Sequence, residues 1–134
     1  MDVPRGVQAN DKAKILLVED DPSVRRSLQL LLQANGFDVR AYANGTTLLA
    51  DKAALDATCL VADYRMNDCD GVATLTQLRD HGWAGPAILI TAFPSNALRA
   101  NAQAAGFATV FEKPLRRHVL LKTIEQLLRS DPAG

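Results

Sequence analysis

The stretch of sequence that decides the fold is KILLVEDDP, residues 14–22. Its first five residues are Lys14 and the continuous apolar run ILLV at 15–18. Such a run is typical of a strand that helices cover on both faces and that lies centrally in a sheet. Acids end the run, and Asp21 followed by Pro22 favours a helix start, with Asp21 as the N-cap and Pro22 at the first helical position. The stretch therefore predicts a central strand followed at once by a helix.

This alternation of strand and helix continues along the chain. The apolar spacing i, i+4, i+7 and i+8 of the first helix is carried by Val24, Leu28, Leu31 and Leu32. We expect this helix to end at Gly36. Five strands, each followed by a helix, predict an α/β protein of the flavodoxin-like, doubly wound class, with a parallel sheet in the order 2-1-3-4-5. The further strands are predicted at residues 37–41, 58–62, 87–91 and 108–111, and the further helices at 46–54, from 71, at 96–105 and through 120–128.

The length and composition fit a single domain. We predict a flexible leader at residues 1–13, the domain at 14–129 and a tail at 130–134. The 15 basic and 15 acidic residues give zero net charge, so binding to nucleic acid or anionic lipid is not expected. No apolar run approaches the ~20 residues of a membrane span. Cys59 and Cys69 are too few for a disulfide scaffold or a zinc site, which favours a reducing compartment and the cytoplasm.

Five polar side chains lie at or just beyond the predicted strand ends: Glu19, Asp20, Asp63, Thr91 and Lys113. The carboxyl ends of parallel strands meet at one edge of such a sheet, so we expect these side chains to lie together. Crowded carboxylates repel one another, and a hard cation such as Mg²⁺ relieves that repulsion. An aspartate can attack phosphorus, while an ammonium and a hydroxyl group stabilise charge on the transferring oxygens. The pattern predicts a Mg²⁺-dependent site in which Asp63 accepts a phosphoryl group.

Each of these residues has a simpler interpretation when it is taken alone. Asp20 could be a surface carboxylate, Thr91 could bond to backbone and Lys113 could be solvated near a turn. Their joint occurrence at the strand ends favours a functional site instead. Among the three consecutive acids, the helix start already uses Asp21 as its cap, so Glu19 and Asp20 are assigned to the metal.

Five short segments in this order resemble the receiver domain of two-component response regulators. The resemblance covers about residues 14–129. No single segment is specific, but five of them on the expected elements make chance agreement improbable. The segments are ILLVEDD at 15–21, LVADYRM at 60–66, DG at 70–71, ILITA at 88–92 and FEKP at 111–114.

The resemblance implies roles for the acids. Asp63 would receive a phosphoryl group from a sensor histidine kinase or a histidine phosphotransfer protein. Asp20, Asp63 and the main-chain carbonyl of Arg65 would bind Mg²⁺, with Glu19 acting through a metal-bound water. The domain would not be an enzyme in the usual sense, since it would only promote its own phosphorylation and its own slow dephosphorylation.

The resemblance also implies how a signal would leave the site. Thr91 would be the switch hydroxyl that swings toward the phosphoryl group, and Lys113 would contact that group, its direction fixed by a cis Lys113–Pro114 bond. The output surface would span about residues 96–128 and would bind a downstream protein, or a second copy of the chain in a homodimer. No output domain follows in this sequence, so we expect that surface to pass on the signal unless the chain is a fragment of a larger regulator.

A few positions bear on how the switch would work. Asn67 stands where the family commonly has Pro, and Val110 stands where it usually has Tyr or Phe, while Phe111 is expected to face the opposite side. These departures make an alternative plausible, a receiver-like binding module that works without phosphorylation. The resemblance implies that Arg65 and Phe93, two places after Asp63 and Thr91, flank the path of the attacking water and tune the acyl-phosphate lifetime. A small-molecule phosphatase is disfavoured, because Arg65 stands where such enzymes carry a second acid.

Overall fold

Five parallel strands form one sheet in the order β2-β1-β3-β4-β5. The computed structural model describes residues 12–65 and 69–129. The predicted fold class, strand order and parallel pairing are confirmed. The strands are β1 (Lys14–Val18), β2 (Asp38–Tyr42), β3 (Cys59–Asp63), β4 (Ala87–Thr91) and β5 (Thr109–Glu112). The helices are α1 (Pro22–Ala34), α2 (Gly45–Ala50), a 3₁₀ helix (Lys52–Asp56), α3 (Gly71–Asp80), α4 (Asn96–Ala105) and α5 (Arg117–Arg129).

Helices cover both faces of the sheet, so β3 and β4 are buried along their whole length. Side chains alternate between the two faces of a strand, and the core accordingly has two halves. The half under α2, α3 and α4 contains Leu16, Leu48, Leu60, Leu75, Leu89 and Leu98. The half under α1 and α5 contains Ile15, Leu28, Leu32, Val61, Ile88 and Ile124.

The first helix begins and ends where the sequence predicts. Oδ1 of Asp21 accepts a hydrogen bond from the main-chain N–H of Ser23 at 2.8 Å, so its role as the N-cap is confirmed. At the other end, Gly36 adopts the left-handed conformation with φ of 91°. The N–H of Phe37 then donates to the carbonyl of Leu32 at 3.1 Å. This turn satisfies the last carbonyls of α1 and directs the chain into β2.

The second helix differs from the single helix predicted over residues 46–54. It ends at Ala50, and a separate 3₁₀ helix follows. The cause is Asp51, whose backbone is extended and whose Oδ2 accepts a hydrogen bond of 2.6 Å from the hydroxyl of Tyr42. Its Oδ1 accepts from the N–H of Ala53 at 3.0 Å. Asp51 therefore caps a new helix and interrupts the old one.

The strands β2, β3 and β5 each begin and end one residue later than predicted. At β2, the N–H of Phe37 is already used to close α1. At β5, the N–H of Lys113 extends the pairing with β4 by donating to the carbonyl of Thr91 at 2.8 Å. Asn67 and the predicted tail at 130–134 lie outside the described residues, as does the predicted leader except for positions 12 and 13. Among the helices that the structure describes, none is long and apolar enough to cross a bilayer.

Candidate functional site

Three carboxyl groups meet at the carboxyl edge of the sheet, as predicted. Glu19 and Asp20 follow β1, and Asp63 is the last residue of β3, the strand beside β1. One carboxylate oxygen from each lies within 4.8 Å of the other two. Glu19 and Asp63 are buried, with 2% and 5% of their surface exposed, and Asp20 is half-buried. Such a set of oxygen donors suits a hard divalent cation.

Lys113 brings the positive charge that these acids face. Its Nζ lies 3.4 Å from Oδ1 of Asp63 and 3.8 Å from Oε1 of Glu19. The expected cis Lys113–Pro114 bond is present, and the main-chain N–H of Lys113 is bonded to the carbonyl of Thr91. One ammonium opposite three carboxyl groups leaves the site with an excess of negative charge when all of them are ionised.

The pKa of Glu19 is raised first by burial and also by the nearby negative charge. Burial raises the pKa of Glu19 from 4.5 to about 7. The charge of Asp63 and a hydrogen bond with the side chain of Asp20 raise this pKa as well. The main-chain N–H of Asp21, which donates to Oε2 at 3.1 Å, and the ammonium of Lys113 act in the opposite direction. Desolvation is the largest of these effects, so the buried site favours the protonated form of Glu19.

Thr91 is buried at the end of β4, and its hydroxyl is already bonded. Oγ1 accepts a hydrogen bond of 3.2 Å from the main-chain N–H of Phe93. Phe93 is 69% exposed, and the guanidinium carbon of Arg65 lies 5.5 Å from the centroid of its ring. These two side chains therefore join the loop after β3 to the loop after β4 through a cation–π contact. The predicted use of the Arg65 carbonyl as a metal ligand stays a prediction.

Two residues support the site in ways that the sequence analysis did not predict. Arg25, one turn into α1, donates from Nη1 to the main-chain carbonyl of Glu19 at 2.9 Å. Gly71, the first residue of α3, lies so close to β3 that a Cβ atom there would stand 2.8 Å from the carbonyl oxygen of Asp63. The sequence analysis marks Gly71 only as the start of the third predicted helix and as part of the DG segment at 70–71. In the structure Asp70 is the N-cap of α3, and its Oδ1 accepts from the N–H of Ala73 at 2.8 Å. A glycine next to such a cap is the signal that could have indicated the close approach.

The two adjacent residues of β5 face opposite halves of the core, as predicted. Val110 is half-buried and packs against the half under α2, α3 and α4. Its carbonyl accepts a hydrogen bond of 3.4 Å from Nη1 of Arg99 on α4. Phe111 packs against the half under α1 and α5. Val110 therefore links the edge of the sheet to α4.

The fold and the acidic edge together define a receiver domain. A model of the response regulator receiver domain matches residues 15–125. The chain therefore belongs to the receiver domain family of two-component response regulators, and the resemblance drawn from its sequence is confirmed.

Individual relatives agree with this assignment. The chain is 34% identical over 110 residues to the transcriptional regulatory protein FixJ of Rhizobium meliloti (strain 1021), which covers 82% of this chain and 54% of FixJ. A crystal structure of FixJ-N matches with a TM-score of 0.78 and 32% identity, over 89% of this chain and 95% of that one. The chemotaxis protein CheY4 of Vibrio cholerae matches with a TM-score of 0.81 and 25% identity, over 87% and 98%. The chain spans about half the length of the curated relatives it matches.

Proposed function

We propose that Asp63 accepts a phosphoryl group from a histidine kinase or a histidine phosphotransfer protein, in a Mg²⁺-dependent reaction that switches a protein-binding surface. The observation that carries this proposal is the approach of Lys113 Nζ to Asp63 Oδ1, 3.4 Å, beside two further carboxyl groups. A buried aspartate paired with a lysine at a sheet edge offers a nucleophile and a partner for the charge of the phosphoryl oxygens in one place.

Asp20, Asp63 and the carbonyl of Arg65 would hold the Mg²⁺, with Glu19 acting through water. The mutual proximity of the three carboxyl groups within 4.8 Å supports this assignment. When bound, Mg²⁺ supplies positive charge that offsets the charge on the phosphoryl oxygens.

In the proposed reaction, the chain would mainly position the nucleophile Asp63 and the groups that contact the phosphoryl oxygens. A carboxylate oxygen of Asp63 attacks phosphorus, the new P–O bond forms, and the P–N bond to the donor histidine breaks, so that the imidazole leaves. Lys113 pairs with a phosphoryl oxygen. Thr91 turns its hydroxyl toward the same group and releases the N–H of Phe93, to which it is bonded in this structure. Water later hydrolyses the acyl phosphate, which releases inorganic phosphate and restores the carboxylate of Asp63.

The output is proposed to pass through residues 96–128, as contact with a downstream protein or with a second copy of the chain. The family assignment and the placement of Thr91 just before the segment that leads to α4 support this proposal. Some relatives are named as transcriptional regulators, and the chain spans about half of their length. Contact with DNA would then belong to a longer protein, since the zero net charge of this chain gives no basic field. We place the whole process in the cytoplasm.

Incubation with acetyl phosphate and Mg²⁺, followed by intact mass measurement, tests the proposal. The native chain should gain one phosphoryl group, and Asp63→Asn should gain none. A gain in both chains would remove Asp63 from its role. Beryllofluoride with Mg²⁺ provides the second test, because an unchanged amide NMR spectrum would favour the binding module that works without phosphorylation.

A further inference from the structure

Arg25, a half-buried residue of α1, bonds to the main chain on both sides of Asp20. Its side-chain Nη1 donates to the carbonyl of Glu19 at 2.9 Å. Its main-chain N–H donates to the carbonyl of Asp21 at 2.9 Å, as part of the first turn of the helix. One residue therefore fixes the peptide unit that precedes Asp20 and the peptide unit that follows Asp21.

The bond from Nη1 of Arg25 acts on the peptide unit that Glu19 and Asp20 share. The carbonyl of Glu19 and the N–H of Asp20 lie in one plane, because the peptide bond is planar. A bond to this carbonyl oxygen restricts the plane, and with it the direction in which the side chain of Asp20 leaves the main chain. The side chain of Arg25 thus bears on the orientation of a carboxyl group at the acidic edge.

Glu19 is held at two further atoms. Its main-chain N–H donates to the carbonyl of Tyr42 at 3.1 Å, which continues the pairing of β1 with β2. Its Oε2 accepts from the N–H of Asp21 at 3.1 Å, and its Oε1 lies 3.8 Å from Nζ of Lys113. The bond from Arg25 completes this set, so the turn that carries the two acids is held from β2 on one side and from α1 on the other.

The charge of Arg25 and its hydrogen bond have opposite expected effects on a cation at this edge. A positive guanidinium repels a cation, so a residue that acted through charge alone would weaken the binding of Mg²⁺. A residue that orders the ligands in advance strengthens binding, because the cation then need not order them itself. The sign of the change on removal of Arg25 therefore distinguishes the two effects.

We propose that Arg25 is a positioning residue for the Mg²⁺ site, whose bond to the carbonyl of Glu19 orders the turn of Glu19 and Asp20 and strengthens binding of the cation. The inference rests on the proposed use of these acids, Asp20 as a direct ligand and Glu19 through water. Arg25 itself contributes no ligand atom. Its contribution is the orientation of the acids, and this exceeds the repulsion between its charge and the cation.

Titration with Mg²⁺, followed by amide NMR, tests the sign of the effect. In Arg25→Met, the Kd for Mg²⁺ should rise about tenfold, as is usual when a residue that orients metal ligands is removed. Arg26→Met is the matched control, because it removes the same charge from an exposed neighbouring position of α1, and it should not raise the Kd. A Kd in Arg25→Met that is equal to or lower than that of the native chain would overturn the proposal.

Amide hydrogen exchange in EDTA tests the ordering of the turn without the cation. In Arg25→Met, the amide of Asp21, which donates to Glu19, should exchange about tenfold faster than in the native chain, as expected when a hydrogen bond of ordinary net strength is lost. The amide of Leu120, bonded within the first turns of α5, should change less. Unchanged exchange at Asp21, or an equal increase at Leu120, would overturn the proposal.

Two further arrangements keep the outcomes distinct. If Arg25→Met does not fold, Arg25→Gln, whose side chain is too short to reach the carbonyl of Glu19 in the same way, should give both results. Absence of Mg²⁺ binding in the native chain would refute the proposed metal site. The exchange rate at Asp21 would still decide whether Arg25 orders the turn.

Discussion

Lys113 directly follows β5, which lies two positions from β3 in the sheet, and its ammonium Nζ is 3.4 Å from Oδ1 of Asp63. It also lies 3.8 Å from Oε1 of Glu19. One cation thus serves two buried acids, with Asp20 beside them. The charge at this edge is incompletely balanced by the chain itself. We expect this imbalance to contribute to the phosphorylation of Asp63, to Mg²⁺ binding and to the pH dependence of stability.

Replacement of Lys113 by an apolar side chain of similar length should slow phosphorylation without removing the nucleophile. Lys113→Met lacks the charge that would pair with the transferring oxygens, and we expect the rate with acetyl phosphate to fall about 100-fold. A time course of intact mass measures that rate. Lys122→Met, at an exposed position of α5, is the control and should react like the native chain. Equal rates for the two variants would show that the ion pair does not assist the reaction.

Magnesium should stabilise the folded chain through Asp20 and not through Asp21. At a concentration about 100 times its Kd, a cation that binds only the folded state adds ~2.7 kcal/mol to the free energy of unfolding. Asp20→Asn should lose most of this gain. Asp21→Asn should keep it, because asparagine is also a good N-cap. Urea unfolding with and without Mg²⁺ measures the gain, and a loss in Asp21→Asn alone would reverse the assignment of the acids.

The raised pKa of Glu19 predicts a specific pH dependence of stability without metal. Between about pH 4.5 and 7, Glu19 holds a proton in the folded state and has lost it in the unfolded state. The folded state then binds more protons, so this group makes the free energy of unfolding fall as the pH rises through that window, and its effect levels off above it. Urea unfolding in EDTA measures the slope. Glu19→Gln should have a flatter profile than the native chain.

The control for this pH profile is Glu125→Gln, at an exposed position of α5. It should retain the native slope, since removal of a solvated acid leaves Glu19 in its buried place. A profile as steep in Glu19→Gln as in Glu125→Gln would assign the pH dependence to another group.

A side chain at Gly71 should lower the stability of the folded chain. A Cβ atom there would lie 2.8 Å from the carbonyl oxygen of Asp63 and 2.7 Å from Cδ1 of Leu89. We expect Gly71→Ala to lower the free energy of unfolding by about 1–3 kcal/mol, because overpacking outweighs the better helix propensity of alanine. Ala100→Ser, at an exposed position of α4, should change it by less than about 0.5 kcal/mol. Similar stability of the two variants would show that α3 can move away from β3 at little cost.

The fold and the proximity of the site residues could both be predicted from the sequence, and for the same physical reason. Apolar runs such as β1 and caps such as Asp21 are local signals, and the rules of parallel sheets convert them into a common edge. Glu19, Asp63 and Lys113 could therefore be placed together without any knowledge of their contacts. Their chemical roles, like that of Thr91, stay predictions.

What the sequence could not reveal depends on single side chains that reach distant backbone or distant partners. The bond from Tyr42 to Asp51 interrupts α2, and the bonds of Arg79 tie α3 to Gly106. Arg25 supports the carbonyl of Glu19 from within α1. None of these contacts produces a periodic pattern of apolar residues, so no local pattern indicates them.

The alternation along β5 has a consequence for genetics. Val110 and Phe111 are adjacent, yet they contact opposite halves of the core. Second-site suppressors of a defect at Val110 should therefore map to α2, α3 and α4, and suppressors of a defect at Phe111 should map to α1 and α5. Mutations at these two adjacent residues of the edge strand should therefore fall into two genetic classes, each with its own set of suppressors.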